Sequence, residues 1–456
     1  PSLDRRCTLF FERVEILAPR SLYPPISSRG MLASPLSRVV SALRPLATLS
    51  SVTRHDRILR VKWDDGQTGD FPLVWMRDSS PDPQTYSLSP AMSARNLHMS
   101  TFDVEVEPLS YSISPSDNQL HVEWPGSVTS KFDSEWLLLR SPSSAAAAAR
   151  RHKWYLFPEE TWGKEEIEKR LKRYNYSDVI SDDKSLHDFL ESVCLDGIAV
   201  LTNGPKGEKG AVEKIAERIG FMQRTHFGNV FEVCTKPDAS NMAYAVPSTL
   251  PFHTDFPSLS DPPQLQMLHM FIKAKEGGNS LFVDGFHVAE QLRVERPDVF
   301  SLLSSRECEF IEEGHDVHEG PAGETMTFPY NMAARHTTIK TDSSGRVVRV
   351  QFGNAMRSWF YDCEPEKIQE LYRALKVFTD YVYQDRNLLK ITLQEGDTVL
   401  WANTRLLHTR DGYVEDDNRR RTLTGCYFQW DIVKSRVRQL SRKLALPSAQ
   451  PSAVGN

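Results

Sequence analysis

The stretch from Phe252 to Asp284 does most to limit what this chain can become. It opens His253-Thr254-Asp255, passes through Asp261-Pro262-Pro263 into the largely apolar run Leu265 to Ile272, and closes Gly277-Gly278-Asn279-Ser280-Leu281-Phe282-Val283-Asp284. Side chains two apart on an extended segment point the same way, so His253 and Asp255 present an imidazole and a carboxylate together. That is half of a clamp for iron(II). A second histidine, with His408 the candidate, completes a two-histidine, one-carboxylate set that leaves three coordination positions open for a bidentate co-substrate and oxygen. Arg421, at the start of a strand-like run after His408, and Ser280, after the Gly-Gly pair, offer a guanidinium and a hydroxyl for the far carboxylate of a chelating 2-oxo acid. A sheet that gathers positions 253, 255, 408 and 421 must pair strands distant in sequence, which a double-sheet jelly roll does.

Length and charge narrow the partners. The 456 residues suffice for two domains, or one large domain with an appendage, and the net charge of −5 gives no support for nucleic-acid or bulk membrane binding. Small molecules are the expected partners. Cys7, Cys194, Cys234, Cys308, Cys363 and Cys426 form no C-x-x-C pair, so neither a disulfide scaffold nor a thiolate zinc site is indicated, and a reducing compartment is expected. No apolar run approaches the length of a membrane span.

Residues 1–55 read as a tail rather than a folded unit. From Met31, a candidate start, to His55 the chain is rich in Ser, Leu and Ala, contains Arg38, Arg44 and Arg54, and has no acidic residue. That is the composition of a mitochondrial transit segment, with a cytoplasmic location as the alternative. Residues 56–140 read as a small β domain: Leu59–Trp63 alternates, Asp64-Asp65-Gly66 marks a turn, and further strands are expected at Phe71–Trp75, Val104–Glu107, Tyr111–Ser114 and Leu120–Trp124. His121 and Glu123 occupy the solvent face of the last of these and receive no metal role. Residues 141–152, with Ser-Pro-Ser-Ser and five alanines, read as a linker, although the alanines would also extend the helix that begins near Asp133.

The catalytic unit is expected over 153–443, mainly β with flanking helices, followed by a tail over 444–456. Helices are predicted at 165–173, 185–194 (capped by Ser185), 212–219, 285–293, 297–304 and 365–383. Strands are predicted at 197–202, 308–311, 336–339, 347–352, 397–401, 406–408 and 422–430.

His253-x-Asp255, Asp261-Pro262-Pro263, Gly277-Gly278-Asn279-Ser280, Val283-Asp284-Gly285-Phe286 and Asn403-x-Arg405-Leu406-Leu407-His408 resemble the taurine-dioxygenase-like iron(II) and 2-oxoglutarate oxygenases. Within that family the resemblance is to the branch that hydroxylates γ-butyrobetaine. It covers roughly 56–440, including Phe71-Pro72-Leu73-Val74-Trp75-Met76-Arg77-Asp78. The resemblance implies that His253, Asp255 and His408 hold iron, that Arg421 with Ser280 holds 2-oxoglutarate, and that ascorbate supports turnover. It implies a substrate with a trimethylammonium group in an aromatic cage at Phe227, Phe231, Tyr244 and Tyr427, its carboxylate near Asn241 and Asn354, and a homodimer. Trimethyllysine hydroxylation by the sister branch and a catalytically silent binding paralogue are the alternatives. Relatives carry a three-cysteine, one-histidine zinc site in the N-terminal domain, where this chain has Ser80, Asp82, Thr85 and Val128. Those side chains cannot make a tetrahedral thiolate site, so structural zinc is expected to be absent. Phe227 and Phe231 also stand where a tyrosine and a tryptophan are typical of the cage.

Overall fold

The computed structural model describes residues 47–88, 93–142, 144–235, 247–319, 325–415 and 419–446. Its N-terminal part is built on two antiparallel sheets, Leu49–His55, Ile58–Trp63 and Thr68–Pro72 in one, and Ser110–Ser114, Gln119–Trp124 and Val128–Asp133 in the other. Strand alternation turns Leu59, Val61, Trp63 and Phe71 of the first and Leu120, Val122, Trp124 and Phe132 of the second into one shared core. Around the first helix of this part, short side-chain contacts tie down Ser80, Asp82 and Thr85, while Val128 is buried in the shared core. Ser80 accepts from Ser130, and Asp82 accepts from the hydroxyl and the amide of Thr85.

Several expected boundaries are corrected here. The tail over 1–55 stops earlier, because Leu49–His55 pairs with Ile58–Trp63 and buries Leu49. The strand's Ser, Thr and Arg side chains face outward and hide it from a hydrophobicity pattern. The strand expected over Phe71–Trp75 ends at Pro72, which has no N–H for the ladder, and Leu73–Asp78 is a helix. Val104–Glu107 is a turn, in which the Asp103 carboxylate accepts from the Glu105 amide at 2.9 Å. The linker over 141–152 contains most of a helix, Ala145–Trp154, capped by Ser144 and favoured by its alanines. The helix expected to be capped by Ser185 runs Asp183–Asp196 with Asp182 as its cap.

The catalytic part places two sheets face to face. One has six strands, in the order Phe231–Cys234, Thr422–Phe428, Leu265–Ile272, Thr398–Ala402, Ile198–Thr202 and Arg173–Asn175, antiparallel except for the last pair. The other sets Ser280–Asp284 between Leu388–Ile391 and Leu406–Arg410. Their inner faces meet through Met270, Val399, Trp401 and Leu423 on one side and Phe282, Leu389, Ile391 and Leu406 on the other. Phe282 and Trp401 stack edge-on at 5.3 Å. The outer faces are covered by helices: Asp183–Asp196, Ala211–Ile219 and Trp430–Lys443 pack on Leu265, Met267 and Phe428, while Gly285–Glu295, Pro297–Ser305 and Pro365–Val382 pack on Val283 and Leu407. A long hairpin, Glu307–Glu319 with Thr325–Thr337, replaces the two short strands expected there. Its base buries Cys308 and Phe310 in the core, and its polar outer part is held by the main-chain ladder. Among the described residues no helix is long and apolar enough to cross a membrane, and the five described cysteines are unpaired.

A buried ion pair fixes the start of the strand that carries His408. Asp284 accepts from Arg405 Nε at 3.1 Å and Nη2 at 2.8 Å, from Trp162 N at 3.1 Å and from Phe286 N at 3.0 Å. Arg405 also donates to the Leu195 carbonyl at 2.8 Å. Both side chains are almost wholly removed from water. Arg405→Met is expected to cost about 3–5 kcal/mol, because it leaves the Asp284 carboxylate buried and uncompensated. Urea unfolding of the two proteins measures it; a loss below about 1 kcal/mol contradicts the assignment.

Candidate active site

The site begins with a two-residue bridge between the segment carrying His253 and the strand Leu406–Arg410, distant in sequence. His253 N donates to the His408 carbonyl at 3.1 Å, and His408 N returns the bond to the His253 carbonyl at 2.9 Å. The exchange sets the two imidazoles side by side, with ring centroids 4.4 Å apart. Asp255 is placed by Asn403, whose amide oxygen accepts from Asp255 N at 2.7 Å while its NH2 donates to the carbonyls of Asp255 and Pro263. Asn403 is fully buried and follows the apolar strand Thr398–Ala402; the motif Asn403-x-Arg405-Leu406-Leu407-His408 singled it out, but not its grip on residue 255. Phe256 follows at a left-handed φ of 57°, turning the chain away from the carboxylate.

The ligand atoms now face one point. Asp255 Oδ1 lies 3.3 Å from His253 Nε2 and 3.5 Å from His408 Nε2. His253 Nδ1 sits 2.9 Å from the Pro251 carbonyl, so the proton belongs on Nδ1 and the Nε2 lone pair is left facing Asp255. Tyr427 donates its hydroxyl to Asp255 Oδ2 at 2.7 Å, which reserves Oδ1 for the histidine side. Burial drives the Asp255 carboxyl upward, but His408, His253 and the Tyr427 hydroxyl together hold it down at about 2. Burial and the neighbouring His253 push His408 down to about 3, so its ring is neutral near pH 7. For His253, burial is outweighed by the Asp255 carboxylate and the imidazole is shifted upward. A neutral imidazole, a carboxylate and a second imidazole with its lone pair directed inward fit a divalent iron of two-histidine, one-carboxylate type.

Arg421 is nearly all buried, with Nη2 3.3 Å from the Gly278 carbonyl and its guanidinium 5.1 Å from the Tyr413 ring. A Cβ on Gly278, whose φ is +68°, would come within 2.8 Å of Arg421 Nε, so only glycine admits the guanidinium there. Among the described residues no carboxylate pairs with Arg421, and its Nε has no hydrogen-bond partner. Burial, with Arg410 nearby, pushes it down to about 10, still cationic at neutral pH.

The expected site residues that are described, His253, Asp255, His408, Arg421, Ser280, Phe227, Phe231, Asn354 and Tyr427, all line a single cavity. Asn241 and Tyr244 lie outside the described residues. Phe231 and Tyr427 stack at 4.9 Å, and Phe256 meets Tyr427 edge-on at 5.4 Å. Gly425 faces Phe231 across the ladder, where a Cβ would lie 2.8 Å from the ring. Sequence reasoning missed Phe256, Arg410 and Glu312, which also line the cavity. Phe256 directly follows the His-x-Asp triplet and was within reach of a search outward from it; Glu312 follows the strand expected at 308–311, on the face of Cys308 and Phe310, but its charge reads as solvent-facing.

A family model for the taurine catabolism dioxygenase TauD, TfdA family matches residues 157–427. The chain belongs to this family. A second model, gamma-butyrobetaine hydroxylase-like, N-terminal, matches residues 50–114. Among TauD-family relatives, the chain is 32% identical to a gamma-butyrobetaine dioxygenase of Homo sapiens over 85% of its own length and 95% of the relative's. It is 29% identical to a gamma-butyrobetaine dioxygenase of Pseudomonas sp. over 89% of its length and 98% of that chain. A mitochondrial trimethyllysine dioxygenase of Bos taurus is 25% identical, covering 81% of this chain and 82% of that one.

For this TauD-family member, Tyr427 combines a ring facing the cavity with a hydroxyl that steers Asp255. Tyr427→Phe keeps the ring and frees Oδ2. Iron(II) binding is expected to weaken by about tenfold to a hundredfold, the range for residues that orient metal ligands. Competition with a chelator reads the constant; unchanged affinity shows that the hydroxyl does not steer the carboxylate.

Proposed function

We propose that this chain hydroxylates γ-butyrobetaine at C3 to L-carnitine, using iron(II), 2-oxoglutarate and oxygen. The observation that carries the reading is the meeting in one cavity of His253, Asp255 and His408 with the buried Arg421 and the rings of Phe227, Phe231, Phe256 and Tyr427. A trimethylammonium head has no hydrogen to donate, so ring faces in a dry site are what can select it. Relatives named gamma-butyrobetaine dioxygenase, at 29–32% identity over most of the chain, support the same substrate.

In this reading His253, Asp255 and His408 hold the iron. Bound there, iron(II) supplies oxygen activation coupled to oxidative decarboxylation of 2-oxoglutarate to succinate and carbon dioxide. The rest is positioning by the chain. Arg421, assisted by Ser280, holds the far carboxylate of 2-oxoglutarate. The ring cluster, with Tyr244, holds the onium, while Asn354 and Asn241 take the substrate carboxylate, so that one C–H bond is presented to the reacting centre. Asn354 is itself oriented: its amide oxygen accepts from Arg357 at 3.1 Å, which leaves the NH2 as its donor.

The same reading makes the two facing sheets a double-sheet jelly roll, with the N-terminal domain packed without zinc and two chains associated as a homodimer. Ascorbate keeps the iron reduced, oxygen and the betaine are the other small-molecule partners, and nucleic acid is not among them. The segment from Met31 to the first strand at Leu49 directs import into mitochondria, with a cytoplasmic location as the alternative; import of a tagged chain beginning at Met31 tests this. Purified protein given iron(II), ascorbate and 2-oxoglutarate is expected to release succinate faster with γ-butyrobetaine than with trimethyllysine. The reverse ranking overturns the assignment in favour of the sister activity, and turnover with neither favours a silent binding protein.

A further inference from the structure

Glu312, midway along Glu307–Glu319, puts a carboxylate on the wall of the active-site cavity. Its Oε2 accepts from the Ser258 hydroxyl at 2.9 Å, and among the described residues no Lys, Arg or His pairs with it. Burial pushes its carboxyl upward and Asp255 adds to the shift. A carboxylate drawn from water without a cationic partner is costly, so its presence in the cavity wall suits a positive charge brought by a ligand.

The surroundings say where that charge would lie. Ser258 ends Asp255-Phe256-Pro257-Ser258, so one flank of Glu312 is the segment that carries Phe256. On the other flank Tyr330, on the facing arm of the hairpin, lies close enough to feel the carboxylate. Tyr330 packs on His226 at 4.4 Å, and His226 contacts Phe227 at 4.1 Å and Phe256 at 5.3 Å. The carboxylate therefore borders the ring cluster assigned to the onium. Phenylalanine faces attract a cation less strongly than tryptophan, and a carboxylate bordering them, ionised when the cation is seated beside it, makes up that difference.

We propose that Glu312 is the counter-charge for the trimethylammonium head, selecting a cationic substrate over a neutral one of the same shape. The inference rests on the substrate reading above. E312Q keeps the size of the side chain and its contact with Ser258 but removes the charge, and E312D keeps the charge. The measurements are KM and kcat for γ-butyrobetaine, competitive inhibition by 5,5-dimethylhexanoate, in which a quaternary carbon replaces the nitrogen, and calorimetric binding of tetramethylammonium chloride. In E312Q the KM for γ-butyrobetaine and the Kd for tetramethylammonium are expected to rise by about tenfold with kcat changed by less than about twofold. The inhibition constant of the neutral isostere stays put, and E312D recovers part of the loss. An unchanged KM in E312Q, or an equal loss for the neutral isostere, overturns the proposal, the second outcome assigning Glu312 a purely structural part. Wild-type protein that binds tetramethylammonium but turns over no butyrobetaine would sink the proposed reaction alone; the carboxylate's part then stands or falls on whether E312Q loses the bare ion.

Discussion

Asp255→Ala is expected to lose iron(II) and, with it, more than about a thousandfold in turnover, equivalent to about 4 kcal/mol of transition-state stabilisation. The carboxylate has three attachments that the substitution removes together: the inward Oδ1 facing both imidazoles, the Oδ2 that accepts from Tyr427, and the negative charge that holds the His253 ring in place. Two neutral imidazoles 4.4 Å apart still bind divalent ions, but without a charged oxygen donor. The backbone of the loop need not collapse, because Asn403 grips residue 255 through main-chain atoms that alanine also has. Loss of metal and activity with a circular dichroism spectrum like that of the parent therefore separates a ligand from a structural residue. Iron per chain after gel filtration and succinate release are the two readouts. Retention of stoichiometric iron by the variant would remove Asp255 from the site.

The sequence and the structure agree best where one local rule decides the outcome. Ala211–Ile219 ends at Gly220 because a helical stripe meets a residue free to leave the helix, and Thr398–Ala402 is a strand because its alternate residues feed two different cores. The ligand triplet was legible in the same way, from residue types at short spacing. What could not be read is which main-chain groups meet. The bridge between His253 and His408 spans a separation no periodicity encodes, and Asn403 reaches Asp255 only after that bridge has formed. Leu49–His55 escaped because a strand whose outer side chains are Ser, Thr and Arg carries little hydrophobic signal, and Glu312 because it stands one residue beyond the strand expected over 308–311, as a charged residue on the buried face of Cys308 and Phe310. Tyr427 shows the limit of a residue-type argument: its ring suggested a place among the cavity's aromatics, while only coordinates reveal that its hydroxyl belongs to Asp255.

Arg421→Met is expected to raise the KM for 2-oxoglutarate by about a hundredfold or more, the loss of roughly 3 kcal/mol that follows removal of one partner from a buried, charged hydrogen-bonded pair. The more telling outcome concerns the protein without its co-substrate. Arg421 is a desolvated cation that, among the described residues, has no carboxylate beside it; it has an orphaned Nε, a carbonyl at 3.3 Å and the flank of an aromatic ring. Such a group destabilises the empty fold, and an apolar side chain of similar length in its place relieves the desolvation. Arg421→Met is therefore expected to melt at or above the temperature of the parent when no 2-oxo acid is present. Millimolar 2-oxoglutarate with a divalent metal should then raise the melting temperature of the parent and not of the variant, since ligand binding stabilises only the chain that retains the site. A structural arginine would give the opposite pattern, with a lower melting temperature in the absence of ligand and a parallel upward shift on its addition. Arg405, buried to the same degree but answered by Asp284 and two main-chain carbonyls, serves as the internal control, because the same substitution there lowers stability whatever is added. The contrast between two equally buried arginines, one paired within the chain and one not, is what assigns the second to a ligand.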